Sequence, residues 1–154
     1  MSPYWSAITK HYFQEDFDWI RKSIHRMKIY SIFLILLTVI LYYFSPTIFT
    51  FWLQELVTVP NDMLILWGIF VSISLFYRPY VMFLNGVSKV TLQLYLMTFG
   101  ALINIPLSYY FSVTLGLHTQ GILLASILSI FPCFIILPLQ YKKKKNKKRK
   151  GNLK

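Results

Sequence analysis

Arg78 is the one charged side chain inside a long apolar stretch of this sequence, and two polar residues share its side of a helix. Ser74, Arg78 and Asn85 are separated by four and seven residues, which are close to whole helical turns. A charge inside a bilayer is costly unless it meets water, a partner or a phosphate. This face therefore predicts an anion contact on a transport pathway. The alternative is that Arg78 extends its guanidinium to nearby lipid headgroups.

A second polar face follows further along the chain. Gln93, Gly100 and Asn104 are separated by seven and four residues, so they also fall on one side of a helix. Side-chain amides need hydrogen-bonding partners in lipid, which places this face against protein or a water-filled cavity. Gln93 and Asn104 are therefore further candidates for the pathway. The alternative is that their amides simply hold helices together.

The other reactive residue types show no catalytic or metal-binding pattern. The three histidines are scattered, and the single cysteine, Cys133, lies in an apolar run without a disulfide partner. The five carboxylates lie near the N-terminus or within residues 55–62. We therefore expect no enzyme activity, no catalytic residues, no cofactor and no metal site. Proton-coupled exporters generally use a buried Asp or Glu, and the apolar stretches contain neither.

Long stretches without Asp, Glu, Lys or Arg indicate the fold class. They cover residues 29–54, 63–77 and 90–141, and only 14% of the chain is charged, against about a quarter in soluble domains. About 20 helical residues cross the hydrocarbon core, so the last stretch, 52 residues long, has room for two spans. The sequence thus predicts an all-α integral membrane protein. Its four spans are expected at about residues 29–52, 63–84, 90–111 and 121–139.

Polar segments flank this transmembrane region, which covers residues 29–140. Residues 5–27, within a cytoplasmic segment 1–28, are expected to form one amphipathic helix in the membrane interface. Its apolar stripe, at spacings of four, three, four and three, consists of Phe13, Phe17, Ile20, Ile24 and Met27. Pro46 is expected to end or kink the first span. Residues 141–154 are expected to form a Lys-rich tail.

Small residues recur at every fourth position of the last predicted span. They are Gly121, Ala125, Ser129 and Cys133. Small side chains allow helix backbones to approach closely in membranes. This face therefore predicts helix packing rather than chemistry.

The basic residues predict the orientation. Five lie before residue 29, Lys89 lies in the turn between the second and third spans, and nine of the sixteen lie in the tail. The loops at residues 53–62 and 112–120 contain none, so the positive-inside rule places both termini in the cytoplasm. Much of the net charge of +11 lies beside a hydrophobic helix, which favours contact with the lipid bilayer over nucleic-acid binding.

Several short segments of the chain resemble bacterial polysaccharide flippases. They are residues 3–7 (PYWSA), 16–20 (DFDWI), 85–89 (NGVSK) with Gln93, 103–108 (INIPLS), 116–117 (GL), 121–122 (GI) and 124–126 (LAS). Their order and spacing are similar to the end of the eighth helix through the twelfth helix of O-antigen and capsule repeat-unit transporters. Those transporters belong to the multidrug/oligosaccharidyl-lipid/polysaccharide (MATE-like) exporter superfamily.

The resemblance implies a role in the bacterial cytoplasmic membrane. Members of the family flip lipid-linked oligosaccharide or polysaccharide repeat units, carried on undecaprenyl pyrophosphate, by alternating access between two helical lobes. Four helices would form part of the C-terminal lobe, so the expected partners include the missing N-terminal helices or another subunit. Two alternatives remain open: a drug or ion exporter of the same superfamily, and a small accessory protein of a glycan-assembly complex.

Overall fold

The computed structural model describes residues 2–53 and 59–151, which fold into five α-helices and one π-helical segment. The α-helices are α1 (Ser2–Phe13), α2 (Phe17–Leu53), α3 (Asn61–Gly86), α4 (Thr91–Tyr109) and α5 (His118–Gly151). The π-helical segment Tyr110–Thr114 continues α4. No strand occurs in this part of the chain. Residues 54–58 of the predicted loop, including Glu55, lie outside the described residues.

Four of the helices in the described residues are long and apolar enough to cross a membrane. These segments are Phe17–Trp52, Asn61–Gly86, Thr91–Thr114 and His118–Lys143. A helix satisfies its own backbone hydrogen bonds, which a lipid environment requires. The predicted all-α fold with four membrane-spanning helices is confirmed.

Two helices extend well beyond the apolar stretches that predict them. α2 begins at Phe17, before the predicted start of the span at residue 29. α5 continues through the expected tail to Gly151, and residues 152–154 of that tail lie outside the described residues. Lys has a high helix propensity, so a Lys-rich segment can continue a helix that has already begun.

The N-terminal segment forms two helices where the sequence predicts one. Glu15 has a φ of 58°, a left-handed conformation that interrupts the helix. Asp16 then caps α2, because its Oδ1 accepts a hydrogen bond from the backbone N–H of Trp19 at 3.0 Å. His11 supports this turn, with its Nδ1 3.0 Å from Asp16 Oδ2 and its ring stacked 3.9 Å from the Trp19 ring.

This turn divides the predicted apolar stripe. Ile20 and Ile24 of α2 are buried, whereas Phe13 at the end of α1 is 80% exposed. The buried contact of α1 is made instead by Ile8, which packs against Gly86 of α3. α1 is thus held to the bundle by a residue outside the stripe.

α2 continues through Pro46 to Leu53. Proline has no backbone N–H, so it leaves the carbonyl of Tyr42 without its usual helical donor. The Ser45 hydroxyl donates to this carbonyl at 2.7 Å, and the Thr50 hydroxyl donates to the Pro46 carbonyl at 2.9 Å. The Ser45 side chain therefore satisfies the carbonyl that Pro46 leaves without a donor, where lipid offers no water.

The four long helices pack in the order α2, α3, α5, α4. α3 contacts α2 and α5, α4 contacts α5, and α1 packs against α3 and the start of α2. The main cluster of buried side chains lies where α1, the start of α2, the end of α3 and the second half of α5 meet. Its members, called here the terminal core, are Ile8, Ile20, Ile24, Tyr80, Phe83, Leu84, Val87, Cys133, Leu137 and Tyr141.

α5 approaches α4 and the π-helical segment closely along small residues. A Cβ atom added at Gly100 would lie 2.6 Å from the Ser129 carbonyl oxygen, and one at Gly121 would lie 2.6 Å from the Phe111 carbonyl carbon. Gly121, Ala125 and Ser129, which the sequence assigns to helix packing, are all buried. The absence of side-chain bulk at Gly100 and Gly121 permits this backbone contact.

Replacing Gly100 with Ala is expected to lower the free energy of unfolding by about 1–3 kcal/mol, because the methyl group would press on the Ser129 carbonyl. Thermal unfolding of the purified chain in detergent, followed by circular dichroism, measures the change. Gly68→Ala is the matched control, since a Cβ at Gly68 meets nothing within 4 Å. Equal melting temperatures for the two variants would contradict the close contact.

Most of the surface of the spans is apolar and is not covered by the other described residues. In the most apolar window of each of the first three spans only 6% of residues are buried, against 28% in the fourth. Such extensive apolar exposure does not suit water and requires lipid or further helices around the bundle.

Candidate functional site

The sequence-predicted residues of α3 lie along one membrane-spanning helix. Ser74 is half-buried beside Tyr77, and Asn85 is half-buried in the last turn, where its carbonyl accepts the backbone N–H of Ser88 at 3.1 Å. Arg78 is exposed, and no carboxylate of the described residues forms an ion pair with it. Its guanidinium is therefore available to a ligand, to a lipid headgroup or to another protein segment.

The predicted residues of α4 have different surroundings. Asn104 Nδ2 donates to the Ser126 hydroxyl of α5 at 3.3 Å, and Asn104 Oδ1 accepts from the Ser108 hydroxyl at 3.4 Å. Gln93 Nε2 lies 3.8 Å from the sulfur of Met97, and Gln93 Oε1 is buried without a hydrogen-bond partner among the described residues. Asn104 thus joins two helices, whereas Gln93 keeps an unused acceptor.

The structure does not gather these five residues into one set of contacts. α3 and α4 each pack against α5 and share little direct contact. No hydrogen bond between described side chains links the α3 residues to Gln93 or Asn104. A common pathway through both faces stays a prediction.

A depression between the start of α2 and α5 brings together cations that the sequence analysis did not assign to a site. It has a volume of about 370 Å³ and is called here the basic pocket. Its lining residues are Arg21, Lys22, Ile24, His25, Lys28 and Tyr141. Residues 21–28 of α2 supply all of them except Tyr141, which α5 supplies.

Two aromatic rings position Lys28 in this pocket. Its Nζ lies 4.8 Å from the centre of the Tyr80 ring and 5.4 Å from the centre of the Tyr141 ring. The Tyr141 ring in turn meets the Phe83 ring edge-on, with centres 4.9 Å apart. Cation–π attraction holds an ammonium group without neutralising it, so the Lys28 charge stays available to an anion.

Among the residues that the structure describes, no carboxylate lines the basic pocket. Of the lining residues, Arg21 has an acidic contact, since its Nη2 lies 3.5 Å from Asp18 Oδ1, and both side chains are largely exposed. Exposed ion pairs of this kind are weak, because water screens them. The pocket is therefore electrostatically suited to an anion.

The pocket lies where two apolar stretches end. Lys28 of α2 is the last charged residue before the charge-free stretch 29–54, and Lys142 of α5 is the first after the stretch 90–141. The contact between Lys28 and Tyr141 brings these two boundaries to one level. In a membrane this level corresponds to the boundary between hydrocarbon and headgroups. The sequence reveals each boundary, but their meeting depends on how α2 and α5 pack.

The described residues contain no group of three or more His, Cys, Asp or Glu side chains that could hold a metal ion.

Comparisons with known proteins give one family assignment. Neither the curated proteins nor the solved structures contain a significant match to the chain. The model of the MatE family matches residues 6–110, about two thirds of the chain, from α1 into the π-helical segment. Together with the four membrane-spanning helices, this match shows that the chain belongs to the MatE family of multi-pass membrane exporters.

Proposed function

We propose that this chain takes part in flipping lipid-linked oligosaccharide or polysaccharide repeat units across the bacterial cytoplasmic membrane. The observation that carries the proposal is Arg78, an exposed arginine without an ion-pair partner among the described residues, inside a span of an exporter-family protein. Guanidinium groups bind phosphate through two parallel hydrogen bonds. A glycan carried on undecaprenyl pyrophosphate presents such a group.

The distribution of charge favours an anionic cargo. Arg78 lies within α3, and the acidic residues of the described spans, Asp18 and Asp62, lie in the first turns of α2 and α3. A pathway for cationic drugs would gain from a carboxylate deep in a span, and these helices supply none in their described residues. Anion transport is therefore better supported than drug export, although both agree with the family.

The orientation and depth of Arg78 fit loading from the cytoplasmic side. Positive residues gather at the end where α3 reaches Gly86, which the positive-inside rule assigns to the cytoplasm. Arg78 is eight residues before Gly86, so it lies about 12 Å from the end of α3. It is two residues, or about 3 Å along the helix, before Tyr80, whose ring contacts Lys28 at the level of the basic pocket. A phosphate entering from the cytoplasmic leaflet would reach it before the middle of the bilayer.

Further helices are part of the proposal. α2 and α4 occupy the two edges of the helix row and do not pack against each other, so the described helices form an open layer. Their uncovered apolar surfaces provide places for other helices. We propose that the rest of a two-lobed transporter, or another subunit, supplies the opposite wall of the cavity.

Deletion of the encoding gene tests the function in the native cell. We expect surface polysaccharide to fall and lipid-linked repeat units to accumulate on the cytoplasmic side, with both effects reversed by the wild-type gene. Normal surface glycan with reduced proton-dependent dye efflux would instead identify a drug exporter. Normal transport with loss of glycosyltransferase association would identify an accessory protein.

A further inference from the structure

The basic pocket has the features of a phosphate site at the surface of the membrane. We infer that it binds the phosphate group of a membrane lipid, with Arg21, Lys22 and Lys28 as the cationic contacts. This inference stands apart from the proposed export of glycans, because it concerns a different place on the protein. It rests on the charge, the shape and the depth of the pocket.

The charge of the pocket favours an anion. Arg21, Lys22 and Lys28 line one depression together with His25, and none of the described residues that line it is acidic. Like charges at this proximity repel each other unless water or a counter-ion separates them. A phosphate group offers several acceptor oxygens and one or two negative charges, and it can contact these donors at once.

Exposed apolar side chains follow directly beyond the pocket along α2, where Ile29 and Ile32 are more than half exposed. Ile24 and Tyr141 line it beside the cations, and Ile24 belongs to the terminal core. Its volume of about 370 Å³ equals that of roughly twelve water molecules, which is room for a hydrated headgroup. A ligand with a phosphate joined to a hydrocarbon chain matches both surfaces.

The depth of the pocket agrees with a lipid headgroup. The charge-free stretches of α2 and α5 both end there, at Lys28 and Tyr141. A lipid that packs its chain along these exposed apolar helices would therefore carry its phosphate to the level of the cations. A free phosphate ion would gain nothing from the apolar part of this arrangement.

Arg26 provides a control that separates binding in the pocket from a general attraction of anionic lipids to basic residues. It lies on the same helix between His25 and Lys28 and is exposed, but it does not line the pocket. Lys10 of α1 is likewise exposed and outside it. The pair Lys10→Gln/Arg26→Gln therefore removes the same charge as Arg21→Gln/Lys22→Gln while leaving the pocket intact.

Native mass spectrometry of the purified full chain in detergent measures individual lipid adducts. The probes are phosphatidylglycerol, diacylglycerol as its phosphate-free counterpart, undecaprenyl diphosphate, and inorganic phosphate. We expect Arg21→Gln/Lys22→Gln to weaken phosphatidylglycerol binding about tenfold or more, because each basic contact with an anionic surface contributes a factor of about five. The Lys10→Gln/Arg26→Gln control should lose less than about threefold.

The four probes identify the source of the phosphate. If Arg21→Gln/Lys22→Gln weakens the binding of phosphatidylglycerol alone, the pocket binds membrane phospholipid. If the variant weakens the binding of undecaprenyl diphosphate more, the pocket binds the glycan carrier. Equal losses in the two double variants, unchanged binding in both, or equal effects on diacylglycerol would overturn the inference. Inorganic phosphate binding as tightly as either lipid would overturn the assignment to a lipid.

The single variant Lys22→Gln covers the case in which the double variant folds poorly. Lys22 is exposed, so its replacement leaves the terminal core untouched, and a loss of about threefold to fivefold is expected. Unchanged binding in this variant, together with normal helix content, would count against the site. Because no experiment here measures flipping, a negative result would leave the proposed export function standing.

Discussion

Replacing Arg78 with Ala is expected to reduce glycan export by the assembled transporter about tenfold or more. A hydrogen bond to a charged group contributes about 1.5–3 kcal/mol, and 1.4 kcal/mol corresponds to a factor of ten. Arg78 has no carboxylate partner among the described residues, so its removal leaves no buried acid unpaired. The loss would therefore reflect the ligand contact rather than a broken ion pair. Export is measured as surface polysaccharide in cells that express each variant at the same level.

The control for this prediction is Lys89→Ala, which removes one positive charge from an exposed position just beyond the end of α3. We expect it to export normally. Arg78→Lys should give an intermediate rate, because an ammonium group keeps the charge but loses the paired hydrogen bonds. Normal export from Arg78→Ala would refute a pathway role. Near-normal export from both Arg78 variants would support the alternative in which Arg78 reaches the lipid headgroups.

The second large effect is expected at Leu84, in the terminal core. Leu84→Ala should lower the free energy of unfolding by about 2–5 kcal/mol, because its side chain is fully buried. Helices in lipid gain little from the hydrophobic effect between them, so packing contacts carry much of their association. A cavity at Leu84 removes such contacts where α1, α2, α3 and α5 meet. Denaturant unfolding of the purified chain in mixed micelles measures the loss.

Leu94→Ala is the matched control, since Leu94 is 63% exposed on α4. It makes the same chemical change on a surface that lipid covers, and we expect a loss below about 1 kcal/mol. Equal destabilisation by the two variants would show that the terminal core does not hold the bundle together. A large effect confined to Leu84 would also explain how α1 stays in place, because Ile8 packs into the same cluster.

The fold class follows from the sequence because it depends on the total hydrophobicity of each stretch of about 20 residues. Stretches without charge can be read from residue types alone. The free-energy cost of placing a charged side chain in lipid depends mainly on that residue and its depth, and little on distant residues. That is why four spans could be expected, and why they are found. The helix ends were less predictable, since α2 begins at Phe17, well before residue 29, and α5 continues into the Lys-rich tail.

For the candidate pathway, the sequence could predict only which polar residues share one side of the same helix. The spacing of Ser74, Arg78 and Asn85 places them on one side of α3 without any knowledge of its neighbours. What each polar group contacts depends on the neighbouring helix. Asn104 bonds to Ser126 across 22 residues of sequence. Whether the α3 face borders a pathway stays a prediction.

The N-terminal turn was missed although its components are local. Heptad-like spacing from Phe13 to Met27 favours one continuous helix. The left-handed Glu15 and the Asp16 cap outweigh that pattern, with His11 stacked on Trp19 across the break. Because α1 changes direction there, Ile8 can reach Gly86. The amphipathic pattern indicated a helix, and this local turn decided where it breaks.

By itself, the sequence determined the membrane environment, the four spans and the small-residue face, because each depends on residue types at regular intervals along one helix. The tertiary structure alone decided the basic pocket. Lys28 and Tyr141 are far apart in the sequence, one before the first predicted span and one after the last. They meet because the start of α2 and the end of α5 both pack against α3, around Tyr80 and its neighbours. Contacts between distant residues depend on helix order and rotation, which no local pattern specifies.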